Sequence, residues 1–137
     1  MSGGKGIQWK KFCFNVSKYS RVPAYLLVPE GEGTISCSVI TSRPWGPFSR
    51  IGKEKMVRPF GVEASVTANA DDWAERCYDK QYVGDYLASH GYVVLAVDAL
   101  FWGERGRKEG VRYDSQQALA ANMLQMGMSW GALIVLG

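Results

Sequence analysis

The chain has 137 residues, 47% hydrophobic and 21% charged, which is the balance of one globular domain with a core to bury rather than a disordered segment. Its net charge is only +3, and the basic residues are scattered over Lys5, Lys10, Lys11, the stretch Arg43 to Arg58 and the stretch Arg105 to Arg112, which argues against nucleic-acid binding. Cys13, Cys37 and Cys77 stand far apart with no CxxC pair and a single histidine, so the usual zinc patterns are excluded; no metal and no cofactor are expected, and the cysteines read as reduced and buried.

Residues 7–16 (IQWKKFCFNV) alternate well enough for a half-exposed strand, and RVPAYLLVP (21–29) follows after the turn SKYS, so the pair reads as an antiparallel hairpin. A third strand is expected at 34–41 (TISCSVIT). The stretch from Val57 to Asp72 reads as a long surface excursion. A helix is expected to start at Asp71 or Asp72, run along Trp73, Cys77, Val83 and Leu87, and stop at Gly91 just after His90. The run Tyr92 to Leu100 (YVVLAVDAL) has the aliphatic character of a strand buried on both faces. The last helix is expected from near Asp114, with an apolar stripe at Leu119, Met123, Met126 and Trp130. Three strands followed by helix, strand and helix imply an α/β fold with a mixed, mostly parallel sheet behind an antiparallel hairpin. An open parallel sheet would need another strand after the last helix, so the single domain 1–137 reads as truncated.

There is no apolar leader at the N-terminus, and WGALIVLG is too short to span a bilayer, so no membrane partner and a cytoplasmic location are expected. A central strand left unpaired in such an unfinished sheet would invite self-association or aggregation through the open sheet edge.

Ligands of such folds bind at the carboxyl ends of the parallel strands. Two segments fall there: the loop after 34–41, and Asp98 to Gly106. Asp98 can be a ligand or acid-base group, or it can cap the turn that follows; Trp102 is expected at the mouth of the site and Arg105 near an anion or solvent. G-M-S-W-G (127–131) has the letters of a nucleophile elbow, but the helical stripe around it places Ser129 inside a helix, the wrong setting for a nucleophile. His90, at a helix end, fits an interaction with the last carbonyls. No triad can be assembled from this chain alone, so no catalytic residue is assigned. A dinucleotide fingerprint is reduced to Gly103-x-x-Gly106, and a P-loop is absent.

The segments VPAYLLVPEGEG, IGKEKMVRPF, GDYLASHGYVVLAVDALFWGERG and YDSQQALAANMLQMGMSWGALIVL together resemble the N-terminal half of α/β-hydrolases, in the dienelactone hydrolase and acetyl xylan esterase-like branch. The resemblance implies carboxylic ester hydrolysis of a small ester substrate by a Ser-His-acid triad lying beyond residue 137, hence a fragment inactive by itself; the alternative is a non-catalytic α/β module that binds a ligand or partner. It also places an oxyanion loop, commonly His-Asp-His-Gly in that group, where this chain has Arg43, Pro44, Trp45 and Gly46. Neither Pro44 nor Pro47 can donate a backbone N–H. With synonymous codons chosen suitably, Ser42 to Phe48 read one base later gives His-Asp-His-Gly-Ala-His, so a shifted reading frame over roughly residues 34–50 is expected to explain the departure.

Overall fold

The computed structural model describes residues 6–31, 36–41, 51–106, 113–129 and 131–132. Strands β1 (Ile7–Asn15) and β2 (Arg21–Pro29) pair antiparallel in the register Ile7 opposite Pro29 and Asn15 opposite Arg21. The hydroxyl of Ser17 accepts from the backbone N–H groups of Tyr19 and Ser20, and Val16 N–H donates to Ser20 O at 3.0 Å, which closes the expected hairpin. Strand β3 (Ser36–Thr41) pairs parallel with β4 (Tyr92–Val97), and β4 pairs antiparallel with β2. The sheet order is therefore β1-β2-β4-β3.

The mixed α/β architecture is as the element order implied. The predominance of parallel pairing is not shown, because the described strands make one parallel and two antiparallel pairs. Strand β4 ends at Val97, so Asp98 stands just past it, and only alternate residues, Val94 and Ala96, are fully buried.

The expected single helix from Asp71 to His90 is two helices. Helix α1 (Ala64–Cys77) starts inside the presumed excursion, and α2 (Val83–Ser89) follows a break at which Asp79 and Lys80 both take positive φ. No Ser, Thr, Asp or Asn marks the start of α1: its N-cap is Glu63, which makes no side-chain capping bond. Packing holds it instead, through Ala70, Ala74 and Tyr82, while the Tyr82 hydroxyl donates to Asp71 at 2.7 Å and ties the two helices together. The main core lies between the sheet and α2, formed by Tyr25, Leu27, Val57, Ala88, Val94 and Ala96.

Helix α3 (Tyr113–Gln125) ends sooner than the apolar stripe implied. Gly127 takes φ +75 and terminates it, so Ser129 lies outside a helix, where its hydroxyl accepts from Ala132 N–H at 3.0 Å. Met123 is buried, Leu119 and Met126 are exposed, and Trp130 lies outside the described residues. Cys13, Cys37 and Cys77 are free thiols but exposed, not buried: the first two sit on the outer strands β1 and β3. Among the described residues no helix is long and apolar enough to cross a membrane.

Candidate functional site

The chain turns sharply after β4. Ala99 O accepts from Trp102 N–H, Phe101 adopts φ +73, and Gly103 adopts φ +57 before a short 3-10 turn, Gly103–Arg105. Facing it is a second 3-10 turn, Lys53–Lys55, whose three residues Lys-Glu-Lys are all buried despite their charges. The two turns meet on Asp98. A Cβ on Gly52 would fall on Asp98 Oδ1, and one on Gly103 would lie 2.7 Å from the same oxygen and 2.9 Å from Gly52 N. Both glycines are therefore needed for the backbones to reach the carboxylate, and Gly103 also for its positive φ.

Asp98 is 1% exposed and fully bonded. Its Oδ1 accepts from Lys53 N–H at 2.6 Å, and its Oδ2 accepts from Lys53 Nζ at 2.9 Å and from Glu104 N–H at 3.3 Å. Lys53 Nζ, itself with no exposed surface, also donates to Glu54 Oε1 at 2.9 Å and to Glu104 Oε2 at 2.8 Å. Glu54 Oε2 in turn accepts from Gly52 N–H at 2.9 Å. Glu104 reaches outward to Lys11 of β1, Oε1 to Nζ at 2.6 Å. The aromatic ring of Tyr25 lies under the ammonium, its centroid 4.8 Å from Lys53 Nζ.

Burial alone would favour a neutral Lys53, but the adjoining charges of Asp98 and Glu54 and the bonds from Glu104 and Glu54 outweigh it, so its pKa is raised and the ammonium persists. Burial, with the charge of Glu54, pushes Asp98 up to about 6 against the pull of Lys53. Burial also opposes ionisation of Glu104, yet its bonds to Lys11 and Lys53 bring its pKa down. Carboxylate oxygens of Glu54, Asp98 and Glu104 lie within 4.8 Å of one another, a spacing that could hold a metal ion. Here the cation at their centre is the lysine: all three carboxylates bond to Lys53 Nζ, which supplies the countercharge a metal would otherwise bring.

Above this cluster opens a cavity of about 770 Å³, lined by Lys11, Glu54, Glu63, Ser65 and Glu104 with Val62, Val66 and three glycines. It lies beyond the carboxyl end of β4, the edge where the fold class places ligands. Asp98 does not line the cavity; it lies buried behind Glu54 and Glu104 as a structural acceptor. Trp102 is buried beside it without lining the cavity, and its indole N–H has no hydrogen-bond partner among the described residues. Arg105 turns inward, donating to Asp98 O at 3.3 Å and to Ser20 Oγ at 3.2 Å, and burial lowers its pKa. Arg43, Pro44, Trp45 and Gly46 lie outside the described residues. His90 is exposed at the end of α2, its Nδ1 2.8 Å from Tyr86 O, the helix-end role its position implied.

Sequence reasoning missed Lys53, Glu54, Glu104 and Lys11. The signal available was the aspartate itself: an acid ending an aliphatic strand needs a cation, and a Lys-Glu-Lys flanked by Ile51 and Val57 is a candidate source.

No protein-family model and no curated protein matches the chain. Among solved structures, a crystal structure described as that of a "putative acetyl xylan esterase" from Bacteroides fragilis superposes with a TM-score of 0.61 at 19% sequence identity. The alignment takes in 99% of this chain and 33% of that one, so the chain spans about a third of the length of its structural neighbour. At this identity the likeness is one of fold, and it gives the class: an esterase-like α/β arrangement.

Proposed function

We propose that the chain is the amino-terminal section of an α/β-hydrolase of the dienelactone hydrolase and acetyl xylan esterase-like branch, whose whole protein cleaves small carboxylic esters. The observation that carries this reading is the arrangement at the end of β4: a strained turn, buried acidic cluster and open cavity on an esterase-like fold. In such a protein the triad serine would attack the acyl carbon, with a histidine taking its proton and an oxyanion loop holding the developing charge. The present residues would build the floor and one wall of the cleft rather than perform the chemistry. His90 is the only histidine of the 137 residues and is engaged with Tyr86 O, and Ser129 is engaged with Ala132 N–H. The mostly parallel remainder of the sheet, a cytoplasmic location and independence of cofactors, nucleic acid and membranes belong to the same proposal. So does the origin of residues 34–50 in a shifted reading frame, which peptide mass spectrometry through Trp45 and resequencing of the gene would test.

The direct experiment is p-nitrophenyl acetate turnover by the purified chain and its Ser129→Ala variant. Turnover indistinguishable from buffer in both is the expected result, and robust hydrolysis lost in Ser129→Ala would overturn the assignment. An open frame downstream of codon 137 that encodes a strand followed by G-x-S-x-G would support the family reading independently. A second reading, a non-catalytic ligand-binding module, draws on the cavity itself, which presents acceptors from Glu54, Glu63 and Glu104 and a donor from Lys11, with no nucleophile–histidine pair among the described residues that line it. Ligand-dependent thermal shifts lost in Lys11→Ala, in the absence of ester turnover, would favour it.

A further inference from the structure

The turn Lys53–Lys55 buries two lysines and provides for them differently. Lys53 Nζ bonds three carboxylates, whereas Lys55 Nζ, on a residue 1% exposed, has no hydrogen-bond partner among the described residues. A dry amine without an acceptor destabilises the fold, and methionine would fill the same space. The turn packs on α1, and the amine lies over the Trp73 ring, 4.8 Å from its centroid. Cys77 follows Trp73 by four residues, so the two share one face of α1, a single turn apart. Among the charges that pull on Lys55 against its burial, that of an ionised Cys77 is the largest, ahead of Glu54 and Asp98. The helix end that carries the thiol is firmly held. Tyr78 and Lys80 both donate their N–H groups to Ala74 O, at 2.9 and 3.0 Å, while Asp79 and Lys80 take positive φ. The thiol itself is exposed.

We propose that Lys55 and Cys77 form a redox-controlled cross-link, in which a hydroperoxide oxidises the Cys77 thiol and the Lys55 amine then captures the sulfur as a sulfenamide. In the first step the peroxide O–O bond breaks. One oxygen passes to sulfur to give the sulfenic acid, and the other leaves as water, or as an alcohol from an organic peroxide. In the second step the Lys55 nitrogen lone pair forms the S–N bond as the S–O bond breaks, and the hydroxyl departs with an amine proton as water. Sulfur gives up two electrons to the peroxide, and the protein loses two hydrogens in all. Burial helps this second step, because it raises the share of uncharged, nucleophilic amine. A thiol reverses the link by attacking the sulfur and releasing the amine. Glu54, next to Lys55, lines the cavity, and so do Glu63, Ser65 and Val66 at the start of α1. The link therefore ties two parts of the cavity wall together under oxidising conditions. It is independent of the esterase reading, since it joins two adjoining elements whatever the cavity binds.

The test is mass spectrometry of the folded chain treated with hydrogen peroxide. Cys13 and Cys37, on β1 and β3, are exposed thiols as well, so Cys13→Ser and Cys37→Ser are combined to leave Cys77 as the single sulfhydryl. The expected product is a monomer lighter by about 2 Da, whose digest joins the peptide holding Lys55 to the peptide holding Cys77, and whose mass returns with dithiothreitol. Adding Lys55→Met should abolish the link and leave a sulfenic acid, heavier by about 16 Da and trapped by dimedone. The same joined peptide is expected from the unaltered chain, a readout that does not depend on any variant folding. Any other outcome at Cys77 overturns the inference, whether a sulfinic acid, a disulfide, a link to a different amine, or no change at all. So does a loss of about 2 Da that survives Lys55→Met.

Discussion

Replacing Lys53 with methionine keeps most of the aliphatic stem and removes the ammonium at the centre of the cluster. Two of the carboxylates it serves, Glu54 and Asp98, have side chains 2% and 0% exposed, so water cannot replace the lost partner. Breaking a buried pair from one side costs about 3–5 kcal/mol, and here one side serves two buried acids. The third acid, Glu104, is 39% exposed, keeps Lys11, and adds little. A loss of about 3–5 kcal/mol is a large share of the 5–15 kcal/mol typical of a domain, and corresponds to a fall in Tm of roughly 10–20 °C at this size. Urea unfolding followed by tryptophan fluorescence measures it.

The design can be checked twice. Adding Asp98→Asn to Lys53→Met should recover part of the loss, because the pair is coupled. The deficit of Lys53→Met should also shrink on going from neutral to mildly acidic pH. Without the ammonium the pKa of Asp98 would rise above its present value of about 6, so acid would neutralise the stranded carboxylate in the folded state. A loss under about 1 kcal/mol, or one unchanged between neutral and mildly acidic pH, would refute the view that Lys53 is the countercharge of a dry cluster.

Lys55 is as buried as Lys53, yet its Nζ has no hydrogen-bond partner among the described residues and lies over the Trp73 ring, 4.8 Å from the centroid; burial lowers its pKa against the pull of nearby Glu54 and Asp98. Lys55→Met should therefore hold stability or raise it by about 1 kcal/mol in the same urea assay, since a buried amine without a partner costs about that much or more. Asp85, raised by burial to about 6 against the backbone bond and charge of Arg58, binds its proton more tightly folded than unfolded. Stability should thus increase as pH falls through about 6, and Asp85→Asn should remove a measurable part of the gain in urea midpoint between neutral and mildly acidic pH. Gly52→Ala should cost about 1–3 kcal/mol by forcing Asp98 off its bonds, seen as a lower thermal midpoint.

The strands were legible because each carries its own signal: alternation in β1, an aliphatic run in β4, and turn residues at their ends. The hairpin of β1 and β2 followed from the short connection between them. Helix α1 was not legible at its start, because Ala64-Ser65-Val66-Thr67 lacks a capping residue before it and includes two β-branched residues. Tertiary packing of Ala70 and Ala74 decides that segment, and no local pattern reports it. The break between α1 and α2 was missed for the opposite reason: the apolar spacing carries on through Cys77 and Val83 while the backbone reverses at Asp79 and Lys80. In α3 the apolar spacing likewise runs past the real end, because Leu119, Met123, Met126 and Trp130 keep their helical spacing across Gly127, the residue that ends the helix.

Composition hides the candidate site more thoroughly. A Lys-Glu-Lys run looks like surface, and an aspartate after a strand looks like a turn cap; each reading takes one segment at a time and misses that the two are buried against each other. Burying Lys53 without Asp98, or Asp98 without Lys53, would be too costly to persist, so the two segments specify each other across 45 positions. That mutual requirement also explains the two glycines, which clear the way for the backbones to approach Asp98, and the strained Phe101 that lets the turn after β4 reach back. The cluster is thus best understood as the lock between β4 and the turn beneath the cavity. It fixes Glu54 and Glu104 at the cavity wall, and any chemistry in that cavity must work beside two acids already committed to Lys53 and Lys11.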